Sequence, residues 1–160
     1  MMRPEILKRG TGMRKTITAL LLLCLMAVCL IGCQEKDDTA ADKAELAKYL
    51  ASVEGQSNAL KASLENDPLP QVDMNMKSEE LRQLWDAALT MMLDKAKSAL
   101  PAAEWKALTE AQNAWAAATE TAVAAAGKDW EGGSMYPLVV NMEAARLTEA
   151  RVYEIYEMLK

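Results

Sequence analysis

Few side chains in this 160-residue chain are equipped for chemistry. It contains no histidine, and its three cysteines, Cys24, Cys29 and Cys33, all fall near the N-terminus. Without histidine the commonest general base is missing, and with it the paired nucleophile systems that depend on it. Asp129 and Glu131 flank Trp130 and form a carboxylate pair of the kind that glycoside hydrolysis uses. In a short acidic stretch rich in glycine, however, they read as solvated side chains. Met74 and Met76 bracket Asn75 and offer two thioethers, a soft donor type that suits Cu(I). With no His, Cys or third methionine close by, they read as core padding instead. The chain is therefore expected not to be an enzyme and to use no metal or cofactor. What remains unusual is DWEGGSMYPLVV, residues 129–140, where two glycines, a serine and a proline interrupt long helix-forming runs.

The N-terminus reads as an address. Arg14 and Lys15 precede an uncharged apolar run from Ile17 to Ile31, a basic region followed by a short hydrophobic one. The run is too short for a stable membrane span. It ends in Leu30-Ile31-Gly32-Cys33, which resembles a bacterial lipobox, so residues 1–32 are expected to be a lipoprotein signal peptide. Cys33 would then become the lipidated N-terminus, acylated (palmitate among the chains), with residues 33–42 as a tether. Several acyl chains, at about 0.8 kcal/mol per buried methylene, would make the attachment effectively permanent. Gln34 rather than Asp after the cysteine resembles the pattern for the outer membrane, facing the periplasm. Met13 can serve as the start as well as Met1, since MRKTITALLLL is a complete signal.

Cleavage changes both cysteine use and charge. The mature chain keeps only the lipid-bearing Cys33, so it holds together without disulfides. Five basic residues and one acid leave with the signal, which takes the 18 Lys+Arg and 23 Asp+Glu of the chain to 13 and 22, a net −9. That disfavours nucleic acid and anionic lipid as ligands, so no nucleic acid is expected, and it favours a cationic partner.

The mature length suits one small domain. Leu46, Leu50, Val53, Ser57, Leu60 and Leu64 alternate spacings of four and three, predicting a helix over 43–66, weakened in quality by Gly55 and Ser57. Pro68 and Pro70 stop it. Leu81, Trp85, Ala88, Met92, Ala96 and Ala99 line a second helix that starts at Asp73 or Ser78 and runs to Leu100. Pro101 opens a third, lined by Leu108, Ala111, Trp115, Ala118 and Ala122, which Gly127 ends as a C-cap. Pro137 starts a last helix with Leu138, Met142, Ala145, Val152, Ile155 and Leu159 along its seam. No stretch alternates as a strand does. The expected fold is all-α, a small bundle of three to four antiparallel helices, the first of them peripheral. Trp85 and Trp115 are expected to supply much of the buried area in seams that lack phenylalanine.

These pieces resemble a known family. From about Gln71 to Leu159 the chain is similar to the LprI-like lysozyme-inhibitor domain, small helical exported proteins and lipoproteins. The resemblance rests on Asp73-Met74-Asn75, Asp86-Ala87-Ala88-Leu89, Leu108 with Ala111-Gln112-Asn113-Ala114-Trp115, Glu131-Gly132-Gly133-Ser134-Met135-Tyr136-Pro137-Leu138, and Ala145-Arg146-Leu147-Thr148 with Arg151. It implies a helical domain over 71–160, to which 43–66 is an addition. Family members commonly carry cysteines, but here Met76, Val123, and Met142 or Glu143 lie where they are expected. The resemblance thus implies a member that has lost its disulfides, at about 2–4 kcal/mol per missing bridge unless packing compensates.

The resemblance also implies a partner, a lysozyme, cationic and c-type before other classes, and a membrane reached through the lipid on Cys33. In several unrelated lysozyme inhibitors a loop enters the sugar cleft and hydrogen-bonds its two carboxylates. Gly132, Gly133 and Ser134 suit that role, because glycine permits close backbone approach and exposed N–H and hydroxyl groups can donate. Trp130 and Tyr136 can stack where sugars bind, with Met135 between them. The plainer alternative is a helix–helix connection, its glycines at positive φ and Ser134 or Tyr136 capping the last helix. A different function class also stands: an envelope scaffold whose stripe from Leu46 to Leu64 pairs with a helix of another protein.

Overall fold

The computed structural model describes residues 40–160. The signal segment 1–32, Cys33 and the tether as far as residue 39 lie outside the described residues. Four helices follow, with no strand among the described residues: α1 over 40–66, α2 Gln71–Ala99, α3 Ala102–Gly127 and α4 Tyr136–Leu159. Residues 40–42, expected in the tether, are already helical. Leu46–Lys160 forms one compact unit. Prolines punctuate it as their chemistry requires. Pro70 and Pro101 stand just before α2 and α3, and Pro137 occupies the first turn of α4, where a missing N–H goes unnoticed.

The helices pack on a single seam. Leu46, Leu50 and Val53 of α1 are buried in the same cluster as Leu81, Trp85, Ala88, Met92 and Ala96 of α2 and Ala145, Val152 and Ile155 of α4. α1 is thus a full member of the core rather than a peripheral addition. Leu46, Leu50, Val53 and Ser57 of its stripe are buried inside the chain, and Leu60 and Leu64 are half-buried. Ser57, which looked like a flaw in that stripe, is fully buried because its Oγ accepts the Trp85 Nε1–H at 3.0 Å. Trp85 itself is 0 % exposed, and its ring lies 6.0 Å from that of Tyr153 on α4, tilted by 49°. One indole therefore touches three helices. Ala99, expected on this seam, is exposed at the fraying end of α2.

Direction follows from the cross-contacts. Ser78 meets Asn141 and Trp85 meets Tyr153, so sequence rises together along α2 and α4 and the two run parallel. Glu54 faces Tyr153 and Lys61 pairs with Glu149, while Gln112 bonds Arg151 and Gly127 meets Val140, so α1 and α3 run antiparallel to α4. The expectation of antiparallel helices holds for neighbours in sequence, while among α2, α3 and α4 the most extensive packing joins the parallel pair α2 and α4.

α3 is the peripheral helix. Only Leu108 and Gly127 are buried along its 26 residues, and it lies against α4. Ala111 and Ala118 face outward, and Trp115 is only half-buried and outside the core cluster, which corrects the expectation that it anchors the bundle. The reason is the alanine-rich composition: methyl groups give α3 too little apolar area to claim a central place. What holds it is partly polar. Arg151 of α4, 11 % exposed along its side chain, donates from Nε to Gln112 Oε1 at 2.9 Å and pairs with Glu154. Gly127 also acts otherwise than expected. It is helical, at φ −77°, and the left-handed C-cap is not used. Its value is the missing Cβ, which would lie 2.6 Å from Val140 Cγ1 and 2.7 Å from Tyr136 Cε2. α3 can meet the start of α4 only because nothing projects there.

Candidate functional site

The connection between α3 and α4 is a folded turn rather than a slack loop. A 3₁₀ turn, Lys128–Trp130, continues α3, and the Trp130 carbonyl then accepts the Gly133 N–H at 2.9 Å. The Gly133 carbonyl accepts the Tyr136 N–H at 3.2 Å. Between them Gly132 takes φ +73°, a left-handed value that only glycine adopts without cost. Gly133 has a different role: a Cβ there would lie 3.1 Å from the Trp130 carbonyl oxygen, tighter than ordinary contact. Neither Ser134 nor Tyr136 caps α4 through its side chain. The plainer reading of this stretch therefore accounts for Gly132 and for the tightness at Gly133, and not for Ser134.

The turn brings the candidate residues to one end of the bundle. Trp130 is 44 % exposed and Tyr136 37 %, with Gly132, Gly133 and Ser134 open to solvent and Met135 half-buried. Tyr136 uses one ring edge to cover Gly127 and leaves the other free. The amide of Gly133 is consumed by the turn, whereas those of Gly132 and Ser134 find no backbone acceptor among the described residues. Two N–H donors, a hydroxyl and two aromatic rings thus share one small protrusion. They can donate to carboxylates and stack on flat apolar surfaces.

The protrusion is tied to α2, a link that the sequence reading missed. Asn75 Nδ2 donates to the Ser134 carbonyl at 3.0 Å, and Gln71 Nε2 orients that amide by donating to Asn75 Oδ1 at 2.9 Å. One turn further, Ser78 Oγ donates to the Asn75 carbonyl at 2.8 Å and accepts from Asn141 Nδ2 of α4 at 3.3 Å. Ser78 and Asn141 are buried, so these bonds act away from competing water. The signal was present as polar residues on inward-facing helical positions. Asn75 also lay inside one of the family motifs.

The other groups singled out as chemically suggestive do not converge. Asp129 and Glu131 are both exposed, and neither makes an ion pair among the described residues. Met74 and Met76 sit two apart on α2, so a helix sends them to different faces. Met76 is 65 % exposed, open surface rather than core padding. On the same face, Arg82 hydrogen-bonds Glu79, and with a further bond from Gln83 it holds that carboxyl below the usual carboxylate range. Glu79 therefore stays ionised and paired with Arg82 as the medium is acidified.

The sequence model of one family, described as lysozyme inhibitor LprI, matches residues 65–155, from the end of α1 into α4. No curated protein and no solved structure matches the chain. The matched span contains the turn, its tie to Asn75 and the Gln112–Arg151 clamp.

Proposed function

Because the chain belongs to the lysozyme inhibitor LprI family, we propose that it binds a cationic lysozyme, c-type before other classes, and blocks its cleft without catalysing a reaction itself. The observation that carries the reading is the pre-formed turn at 130–136. Its backbone is held by internal hydrogen bonds and by Asn75 before any partner arrives, and it presents two amides without a backbone acceptor, the Ser134 hydroxyl and the exposed rings of Trp130 and Tyr136. A rigid donor set loses little ordering entropy on binding. The mature net charge of −9 adds attraction at long range, so association is faster at low ionic strength.

Titrating the purified protein against a c-type lysozyme on a cell-wall substrate tests this directly. Inhibition in the nanomolar to micromolar range is expected, with apparent affinity falling as salt rises. Lysozymes of several classes that all keep full activity at low salt would end the proposal.

The same reading places the protein in the bacterial envelope, held by lipid on Cys33 in the outer membrane and facing the periplasm. The lipobox at Leu30–Cys33 behind a basic, apolar segment supports this. Mass spectrometry of the membrane fraction should find residues 1–32 removed and Cys33 acylated, and Cys33→Ser should accumulate as precursor. An unmodified Cys33 with the leader attached would contradict the anchor.

A further inference from the structure

Six large apolar side chains are conspicuously exposed among the described residues: Val72, Met76, Met91, Trp130, Tyr136 and Met158. Four of them gather at the end of the bundle that carries the turn. Val72 and Met76 lie one helical turn apart on α2, on either side of Asn75, the residue bonded to the Ser134 carbonyl. The exposed apolar side chains of α2 therefore stand next to the residue that holds the turn, at the same end of the bundle. A shallow groove continues along α2 past Met76, bounded by Leu69, Asp73, Lys77 and Glu80.

Charge indicates what this face is built to meet. Asp73, Glu80, Asp129 and Glu131 surround it, and none forms an ion pair among the described residues. Lys77 and Lys128 are the local cations, so the rim is acidic overall. Exposed apolar groups within a charged rim have the anatomy of a protein interface, with a desolvated centre and a polar border.

We propose that Val72 and Met76 form the second half of the contact surface. The turn occupies the cleft of a cationic lysozyme while the first two turns of α2 press on the basic surface beside that cleft. The inference rests on the function proposed above and extends it from a loop to a two-element interface. Asn75 sets the spacing between the halves, because it fixes the turn against α2.

Two double variants carrying the same charge change test it. Val72→Lys/Met76→Lys should weaken inhibition of a c-type lysozyme at least tenfold. Met91→Lys/Met158→Lys, also at exposed positions but far from the turn, should stay within about twofold of wild type. Met91 lies about 22 Å beyond Met76 along α2 at 1.5 Å per residue. Circular dichroism should be unchanged for both, since all four side chains are exposed. Equal losses for the two variants would mean that bulk charge is responsible, and would overturn the proposal. Full inhibition by Val72→Lys/Met76→Lys, with loss on altering Ser134, would confine the interface to the turn and overturn it while leaving the function intact. A wild-type protein that inhibits no lysozyme removes both.

Discussion

Replacing Trp85 with alanine is expected to cost roughly 3–5 kcal/mol of folding stability, and replacing Trp115 less than half of that. The two residues look equivalent in sequence, each a tryptophan on an alanine-lined helical face. They differ in what they touch. Trp85 is fully buried, spans α1, α2 and α4, and its removal leaves both a cavity and a buried Ser57 hydroxyl without its donor. Trp115 lies half-buried on peripheral α3, where water refills much of the space it vacates. Urea unfolding of the two variants beside wild type makes the comparison. Equal costs would mean that α3 packs far more deeply than the structure has it.

Ser134→Trp is expected to abolish lysozyme inhibition, a loss of at least a hundredfold, while leaving the melting temperature within a few degrees. Ser134 is solvent-exposed, and its only described tie runs through the backbone carbonyl, which any residue supplies. An indole there would fill the space that a cleft must close over. Gly133 is less suitable for this test, because any Cβ presses on the Trp130 carbonyl and a loss of activity could come from a distorted turn. Inhibition surviving Ser134→Trp would move the contact to the acidic helix faces. A variant that unfolds would show that the turn serves the bundle first.

Much of this architecture was readable before any coordinates, for definite reasons. Leu81, Trp85, Ala88, Met92 and Ala96 recur at helical spacing, and every one is buried. Pro101 and Pro137 marked helix starts because proline tolerates few other helical positions. The rank of the helices was harder to read. A stripe shows which face is apolar but not how much area its side chains bring, so alanine-lined α3, with its tryptophan, was expected in the core and leucine-lined α1 at the periphery, the reverse of what is found. Gly127 was misread for a similar reason. Glycine at a helix end suggests a left-handed cap, and only the positions of Tyr136 and Val140 reveal that the requirement is space. In the candidate site, the turn residues stood out by composition, whereas Asn75 did not. Its partner lies 59 positions away, a pairing that no local pattern encodes.

The buried polar residues bear on the uniqueness of the packing. Seams built from alanine, leucine and methionine repeat themselves nearly every turn, so α2 could slide along α4 by one turn, about 5.4 Å, and still meet apolar groups. Ser78 with Asn141 makes such a slip unequal to the native alignment, and Trp85 with Ser57 does the same between α2 and α1. Each pair exists at one register only, and losing either would strand buried donors at about 1–3 kcal/mol apiece. This is the use of an isolated polar residue in coiled coils, where it selects one alignment from several. With no cysteine beyond residue 33 to crosslink the bundle, these few hydrogen bonds index one helix against another. Asn75 stands on the same helix as Ser78 and Trp85, so the register they enforce also sets where the turn is held.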